Sequence, residues 1–105
     1  MRNKFHFSFQ IEERNLIIES LNSFRNYLKN QDRATDSIDN LLIKINDSSK
    51  VELNDYDVKI AINALNTWRY KLKNENKPRD EVNNVLLKLI NVIEKPSHLK
   101  EAYER

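Results

Sequence analysis

Apolar residues alternate with polar ones at two places in the chain, a pattern typical of short β-strands. Phe5, Phe7 and Phe9 alternate near the start, and Val51 and Leu53 alternate near the midpoint. A period of two gives a strand one buried and one exposed face. The pattern therefore predicts two strand stubs, which are placed to pair as a small β-ribbon. The phenylalanine stub is expected to cover one end of a helical core; the alternative is that its edge pairs with a partner strand or a second copy of the chain.

A helical period of about 3.6 residues follows each stub. The first predicted helix of each half carries an apolar stripe formed by Ile17, Leu21, Phe24 and Leu28 or by Ala61, Leu65, Trp68 and Leu72. The second predicted helix carries Ile38, Leu41, Leu42 and Ile45 or Val82, Val85, Leu86, Leu89 and Ile93. The connections near residues 30–33 and 74–77 are short, so each half is expected to form an antiparallel αα-hairpin. After Pro96, "SHLKEAYER" predicts a short C-terminal turn or helix at 97–105.

The two halves also share residues, which indicates an internal duplication. "LNSFRNYLKN" begins at Leu21 and "LNTWRYKLKN" begins at Leu65, an offset of 44 positions. Sliding residues 9–46 over residues 53–90 without gaps gives 11 identical positions out of 38, and this period is typical of helical repeats. We place the repeats at about 7–46 and about 51–94 of a single domain that spans residues 1–105.

One helical hairpin cannot bury its apolar stripe alone, so the two copies are expected to pack against each other. The predicted fold is mainly α: an internally duplicated four-helix bundle with pseudo-two-fold symmetry. Asn54, three residues before Asp57, predicts the cap of the third helix. Asn30 and Asn74 are predicted to end the first helix of each half in the left-handed conformation, because the chain has no glycine to do so.

The composition excludes several classes of chemistry. Without cysteine there is no disulfide and no thiolate catalysis, which fits a reducing compartment. Without glycine there is no Walker loop, dinucleotide fingerprint or nucleophile elbow. The apolar runs are far shorter than the roughly 20 residues of a membrane span, and "MRNKFHFSFQ" lacks the apolar core of a signal peptide. A cytoplasmic protein with no membrane partner is expected.

No catalytic constellation is evident in the sequence. His6 and His98 lie near opposite ends of the chain, with no cysteine to complete a zinc site. The carboxylate pairs, such as Asp80 with Glu81, fall at predicted helix starts, where they complement the helix dipole. We therefore expect that the protein is not an enzyme and uses neither a cofactor nor a metal.

Basic residues repeat on one flank of the first helix in each half. Arg25 and Lys29 recur as Arg69 and Lys73. One interpretation is that each arginine bridges to an acid of its own hairpin, Arg25 to Asp36 and Arg69 to Asp80, with the duplicated asparagines bonding between helices. The other is a pair of basic binding patches.

Residues next to the second copy of this flank bear on a binding role. Tyr70 and Lys71 face away from the apolar stripe and are expected to be exposed, whereas Trp68 lies on the stripe and is expected to fill the core. The candidate binding residues are Arg25, Lys29, Arg69, Lys73, Tyr70 and Lys71. The overall charge is only +2, from 18 basic and 16 acidic residues, so the indication of a nucleic-acid partner is weak.

The abundance of asparagine, lysine and isoleucine resembles that of small helical proteins encoded by low-GC Gram-positive bacteria and their phages. With little sign of chemistry, the first hypothesis is a non-enzymatic protein-binding module, for example a phage- or mobile-element-encoded modulator of a host protein. The alternatives are a small nucleic-acid-binding regulator that uses the duplicated arginines and lysines, and an immunity or antitoxin-type protein. The same apolar stripes suit a monomer or a homodimer.

Overall fold

The computed structural model describes residues 4–93, so the helix predicted at 97–105 lies outside the described residues. Within that range the chain is mainly helical, with four helices and a small two-stranded sheet. Its elements, in order, are β1 (Lys4–Ser8), α1 (Ile11–Asn30), α2 (Asp36–Asp47), β2 (Lys50–Asn54), α3 (Asp55–Asn74) and α4 (Asp80–Ile93). No helix in this range combines the length and the hydropathy that crossing a bilayer requires.

The two strand stubs pair with each other, as the alternating pattern predicts. β1 and β2 are antiparallel, with Phe7 opposite Val51 and Phe5 opposite Leu53. The pairing extends past β1, where the Phe9 N–H donates to the Ser49 carbonyl at 2.8 Å. All three phenylalanines are buried in the core. The prediction that the stub covers the helical core is therefore confirmed.

The helices bury the inner parts of their predicted stripes. α1 packs mainly against α3, while α2 packs on α1 and α4 packs on α3. α2 also contacts α3, and α4 contacts α1. The side chains with the least exposure include Ile17, Leu21, Leu41, Ile45, Leu65 and Leu89. Full burial of one such side chain stabilises the fold by roughly 1.5–3 kcal/mol, and this packing decides which faces remain exposed.

The caps of the long helices follow the sequence in one respect and depart from it in another. The Asn54 side chain accepts from the Asp57 N–H at 2.8 Å, and Asp57 accepts from the Asn54 N–H at 3.1 Å, which confirms the predicted cap. Asn30 and Asn74 are indeed the last helical residues. The prediction that they adopt the left-handed conformation is wrong, because positive φ angles occur two residues later, at Asp32 (55°) and Asn76 (56°).

The hydrogen bonds after each helix explain this displacement. The Arg33 N–H donates to the Leu28 carbonyl and the Lys77 N–H donates to the Leu72 carbonyl, both at 2.9 Å. These are the six-residue bonds of a Schellman motif, in which the left-handed residue lies one position before the donor. Aspartate and asparagine tolerate that conformation because their short polar side chains bond locally. The helix end and the left-handed turn are therefore separate positions.

Candidate binding surfaces

Arg25 and Arg69, which are 44 positions apart, have different surroundings. The Arg25 Nε–H donates to Asp39 Oδ1, and the Thr35 hydroxyl donates to Asp39 Oδ2 at 3.1 Å. The predicted partner Asp36 is wrong, because Asp39 lies almost one turn further into α2, on the side that faces α1. The hydrogen bond from Arg25 is the main reason that the pKa of Asp39 lies below its usual value. Arg25 is thus bound within its own helical hairpin.

Arg69 has no such partner. The residue 44 positions after Asp39 is Asn83, whose amide carries no charge. The predicted ion pair between Arg69 and Asp80 is wrong, because the Arg69 side chain makes no ion pair or hydrogen bond with any of the residues 4–93. Its side chain is exposed, so its charge faces solvent and is not paired with a carboxylate of residues 4–93.

Arg69 lines a depression at the side of α3 together with other cations. We name it the basic depression and define it by the residues that line it: Asn66, Arg69, Tyr70, Lys73 and Arg79. It holds about 370 Å³. Three of the six candidate residues, namely Arg69, Tyr70 and Lys73, therefore meet at one place. Arg79, which immediately precedes α4, joins them.

The other candidate residues lie elsewhere. Lys29 is exposed on α1 and lowers the pKa of Asp39 slightly through its charge, after the larger effects of the Arg25 and Thr35 hydrogen bonds. Lys71 is exposed, as predicted, but its ammonium lies 4.9 Å from the centre of the Trp68 ring. That contact is a cation–π interaction within α3. Trp68 itself packs against the core while staying partly exposed.

The duplicated asparagines do not connect the helices. Asn22 and Asn66 on the first helices, and Asn40 and Asn84 on the second, are all exposed. None of their side-chain amides forms a hydrogen bond within the part of the chain that the structure describes. The prediction that they bond between helices is therefore wrong.

Lysines on the second helices make the polar contacts between the halves. Lys44 of α2 donates to Asp57 Oδ2 of α3 at 2.7 Å. Lys88 of α4 donates to Glu13 Oε1 of α1 at 2.9 Å. Both acids also accept the N–H of the residue that precedes their helix, Asn54 and Gln10 respectively. Each lysine therefore fixes a helix start in the other half of the chain.

The pKa of Glu13 reflects these contacts. Burial alone would raise it, but the hydrogen bond from the Gln10 N–H and the hydrogen bond and charge of Lys88 lower it below its usual value. Lys88 also donates to the Ser8 carbonyl at 2.6 Å. The sequence contains this signal, because Lys44 and Lys88, like Glu13 and Asp57, are 44 positions apart. Carboxylates at helix starts have an obvious local role, and that role hides their distant partner.

An exposed group of aromatic and apolar side chains spans α1, α2 and α3. We name it the aromatic surface and define it as Phe24, Tyr27, Ile43 and Tyr56. The exposed fractions are 52% for Tyr27, 67% for Ile43 and 56% for Tyr56, while Phe24 is partly buried. The rings of Phe24 and Tyr27 stack with centroids 6.4 Å apart. None of these residues was a candidate from sequence, since Phe24 belongs to the core stripe and the others lie outside the stripes.

Tyr56 joins the parts of this surface into one. On one side it lines a groove of about 580 Å³ with Phe24, Leu28, Ile38 and Ile60. On its other side it lines a second depression with Ile43. Arg33, Asp36 and Lys59 supply polar groups to the larger groove. The result is an apolar centre between polar neighbours.

The positions 44 residues away carry different chemistry. Tyr27 corresponds to Lys71 and Tyr56 corresponds to Glu12, whereas Phe24 and Ile43 correspond to Trp68 and Leu87. Glu12 lies in a depression with two more carboxylates, Glu13 and Glu81. The aromatic surface therefore carries three aromatic rings, whereas the corresponding positions carry one, that of Trp68.

Residues 4–93 contain no metal-ligand cluster, and comparison with known proteins does not indicate a function. Between residues 4 and 93 no three histidine, aspartate or glutamate side chains converge as metal ligands. His6 is exposed on β1, 3.6 Å from Glu52, and His98 lies outside the described residues. No protein-family model, curated protein or solved structure matches the chain. A function must therefore be inferred from the surfaces themselves.

Proposed function

We propose that this chain is a non-enzymatic protein-binding module that docks on a partner protein through its aromatic surface. The observation that carries the proposal is the exposure of Tyr27, Ile43 and Tyr56. Tyr56 lines both the larger groove and the second depression, Ile43 lines the second depression, and Tyr27 stacks on Phe24 of the larger groove. Solvent-exposed apolar groups that lie together, flanked by polar residues, mark interaction sites on small proteins. Tyrosine suits such a site because its ring buries a large area while its hydroxyl remains hydrogen-bonded.

The surroundings of the groove fit a protein partner better than a small ligand. The groove is open, and its apolar wall runs from Phe24 on α1 to Tyr56 and Ile60 on α3. Charged groups from Arg33, Asp36 and Lys59 line it as well. An apolar centre with a polar rim is the usual anatomy of a protein–protein interface.

A second part of the proposal concerns how the module is built, as an internal duplication with approximate two-fold symmetry. The 11 identities at an offset of 44 support it. So do α1 and α3, whose first and last residues are each 44 apart, and the left-handed residues Asp32 and Asn76, which keep the same offset.

The contacts between the halves agree with a two-fold axis. Lys44 binds Asp57 and Lys88 binds Glu13, so each contact is the other one displaced by 44 positions. In the sheet, Phe7 lies opposite Val51, which is its own counterpart at that offset. An axis through this pair would exchange the two strands.

The proposal that the protein is not an enzyme rests on the structural contacts that its acidic residues make. Glu13 and Asp57 each accept a backbone N–H and a lysine. Asp39 is bound by Arg25 and Thr35. The hydrogen bonds to Glu13 and Asp39 hold the pKa values of these two carboxyls below their ordinary values, which makes both poor general acids near neutral pH.

Affinity capture with matched surface variants tests the docking role. The tagged chain is incubated with a nuclease-treated lysate of a low-GC Gram-positive bacterium, and retained proteins are identified. We expect a discrete protein whose affinity falls roughly tenfold or more in Tyr56→Glu and in Ile43→Ser, because central aromatic and apolar groups dominate interface energetics.

Leu87→Ser is the matched control, since Leu87 is 56% exposed and lies 44 positions after Ile43. It should retain the partner at the wild-type level. Equal loss in Ile43→Ser and Leu87→Ser, or a retained protein that Tyr56→Glu does not affect, would contradict docking through the aromatic surface.

The partner decides between the biological settings. A host enzyme or regulator would fit a modulator encoded by a phage or mobile element, and a toxin would fit an immunity or antitoxin role. Both act by covering a protein surface, so both use the proposed activity. Recovery of the chain itself, with a doubled mass in analytical ultracentrifugation, would instead make the aromatic surface a homodimer interface.

A further inference from the structure

The basic depression gathers positive charge from two elements. Arg69 and Lys73 are four residues apart on α3, so they project from the same flank on successive turns. Arg79 reaches the depression from the connection before α4. Three cationic side chains thus surround a hollow of about 370 Å³.

Little nearby charge offsets these cations. Arg69 and Lys73 form no ion pair with any of the residues 4–93, and Arg79 makes only a 3.5 Å hydrogen bond to the Lys77 carbonyl. Of the carboxylates nearest in sequence, Glu75 is bound to Lys77 at 3.0 Å. Asp80 follows Arg79 and forms no ion pair with any of the three cations, and Glu81 lines the other depression with Glu12 and Glu13.

The first half of the chain shows how such a flank is neutralised. There, Asp39 holds Arg25, whereas Asn83 occupies the corresponding position in the second half. Thr35 and Asn26 correspond to Arg79 and Tyr70, so the second half carries an additional cation and an aromatic ring. Of the two corresponding flanks, the one on α3 is therefore the better suited to bind an anion.

Tyr70 narrows the class of anion. Its ring is 65% exposed and lines the depression beside Arg69 and Lys73. Arginine binds phosphate through two parallel N–H groups, lysine binds it as a point charge, and an exposed aromatic face stacks on a base. No aliphatic side chain lines the depression, so the side chains of an acidic peptide would find no apolar pocket there.

We propose that the basic depression is a binding site for single-stranded nucleic acid. Arg69, Lys73 and Arg79 contact backbone phosphates, and Tyr70 stacks on an unpaired base. A duplex does not fit this arrangement, because its bases are already stacked on each other. The site is separate from the aromatic surface, so it stands or falls independently of protein docking.

Fluorescence anisotropy of a labelled oligothymidylate tests the site over a range of salt concentrations. Three phosphate contacts at about 0.7 each predict a slope of roughly −2 for the logarithm of the association constant against the logarithm of salt concentration. The double variant Arg69→Gln/Lys73→Gln should leave a slope of roughly −0.7. Tyr70→Leu should weaken binding roughly tenfold, since it removes a stacked base without changing charge.

Two further variants use the difference between the halves. Asn83→Asp restores the carboxylate that holds the corresponding arginine, so it should bring the slope to roughly −1.4 by removing one phosphate contact. Arg25→Gln/Lys29→Gln is the matched control and should bind like the wild type. Circular dichroism confirms that each variant is folded.

Several outcomes would overturn the proposal. They are the absence of binding at low salt, equal losses in the two double variants, and a wild-type affinity in Tyr70→Leu. Binding of a glutamate-rich peptide in place of the oligonucleotide would overturn it as well, because it would assign the same cations to an acidic protein segment.

Discussion

The aromatic surface can be compared with the residues that lie 44 positions away from its members. At two of these positions a charged residue stands in place of a tyrosine. Tyr56 corresponds to Glu12, and Tyr27 corresponds to Lys71. The first change places a carboxylate where an aromatic ring would be. The second places an ammonium 4.9 Å from the Trp68 ring. In the proposed docking role, these two side chains distinguish the surface that would dock on an apolar partner from the one that would not.

The basic depression differs from its counterpart for a similar reason. Arg25 and Arg69 match, but their neighbours Asp39 and Asn83 do not. Arg25 is held in an intramolecular ion pair, whereas the Arg69 side chain has no ion-pair partner among residues 4–93. Matching residues in two halves of a chain do not guarantee matching roles, because a role depends on the neighbours as well.

The positions that join the halves behave differently. Leu21 and Leu65 are both fully buried, and Lys44 and Lys88 both bind an acid at the start of a helix in the other half. The two halves are therefore alike at these core and junction positions, and they differ at the surface positions compared above. The following substitutions measure this difference, starting with the largest expected effect.

Core substitutions should affect both halves alike. We expect Leu21→Ala and Leu65→Ala each to lower the free energy of unfolding by about 3 kcal/mol, through lost burial and the cavity left behind. Urea unfolding followed by circular dichroism measures this. A loss below about 1 kcal/mol at one site, or two separate transitions, would show that the halves do not form one cooperative core.

Junction substitutions should show a moderate difference between the halves. The Asp57 side chain is 9% exposed and that of Glu13 is 23% exposed. We expect Asp57→Ala to cost about 2 kcal/mol and Glu13→Ala about 1 kcal/mol, since each loses a capping contact and a charged hydrogen bond. The same urea experiment compares them, and a larger cost for Glu13→Ala would reverse the expected order.

The stability of the fold should depend on pH through two carboxylates, both in the first half of the chain. The folded-state pKa values of Glu13 and Asp39 both lie below their ordinary values of 4.5 and 3.8. A depressed folded pKa means that the unfolded chain binds the proton more readily, so the stabilisation is present above the ordinary value and is lost as the pH falls through the folded one. Unfolding free energy should therefore decrease with acidification below about pH 4.5.

Two amide variants assign this loss to its sources. Glu13→Gln and Asp39→Asn should each flatten the acid limb of the stability curve, and added salt should shrink the effect of Asp39 more because that pair is more exposed. An acid limb that neither variant changes would place the responsible carboxylates elsewhere.

Exposed apolar residues should have the smallest effect on stability. Ile43→Ser and Leu87→Ser remove side chains that are 67% and 56% exposed. We expect each to change the unfolding free energy by less than about 0.5 kcal/mol. A loss above about 1 kcal/mol in Ile43→Ser would mean that this residue supports the fold and is not free for docking.

The elements were predictable because their periods are regular. The strand alternation located β1 and β2, and the stripes located the four helices in residues 4–93. The three-residue spacing of Asn54 and Asp57 was enough to predict the cap of α3. The left-handed residues were misplaced because Asn30 matched the required residue type, while the Schellman hydrogen bonds put the turn at Asp32.

The surfaces were harder to predict, because they depend on contacts between helices. The partner of Arg25 is set by which side of α2 faces α1, and this selects Asp39 over Asp36. Tyr56 follows the cap of α3 and meets Phe24 only after α1 and α3 pack. The spacing of Arg69 and Lys73 predicted the basic flank on α3. That Arg69 has no carboxylate partner followed only from the structure, in which Arg25 pairs with Asp39.

Site-specific photocrosslinking tests the central claim, that one of two corresponding surfaces docks on a protein. The photoreactive residue p-benzoylphenylalanine replaces Tyr56 in one protein and Glu12, its counterpart, in another. Both are irradiated in a nuclease-treated lysate and analysed by mass spectrometry. The account predicts a discrete adduct with another protein from position 56 and none from position 12. Equal adducts from both positions, or none from position 56, would contradict it.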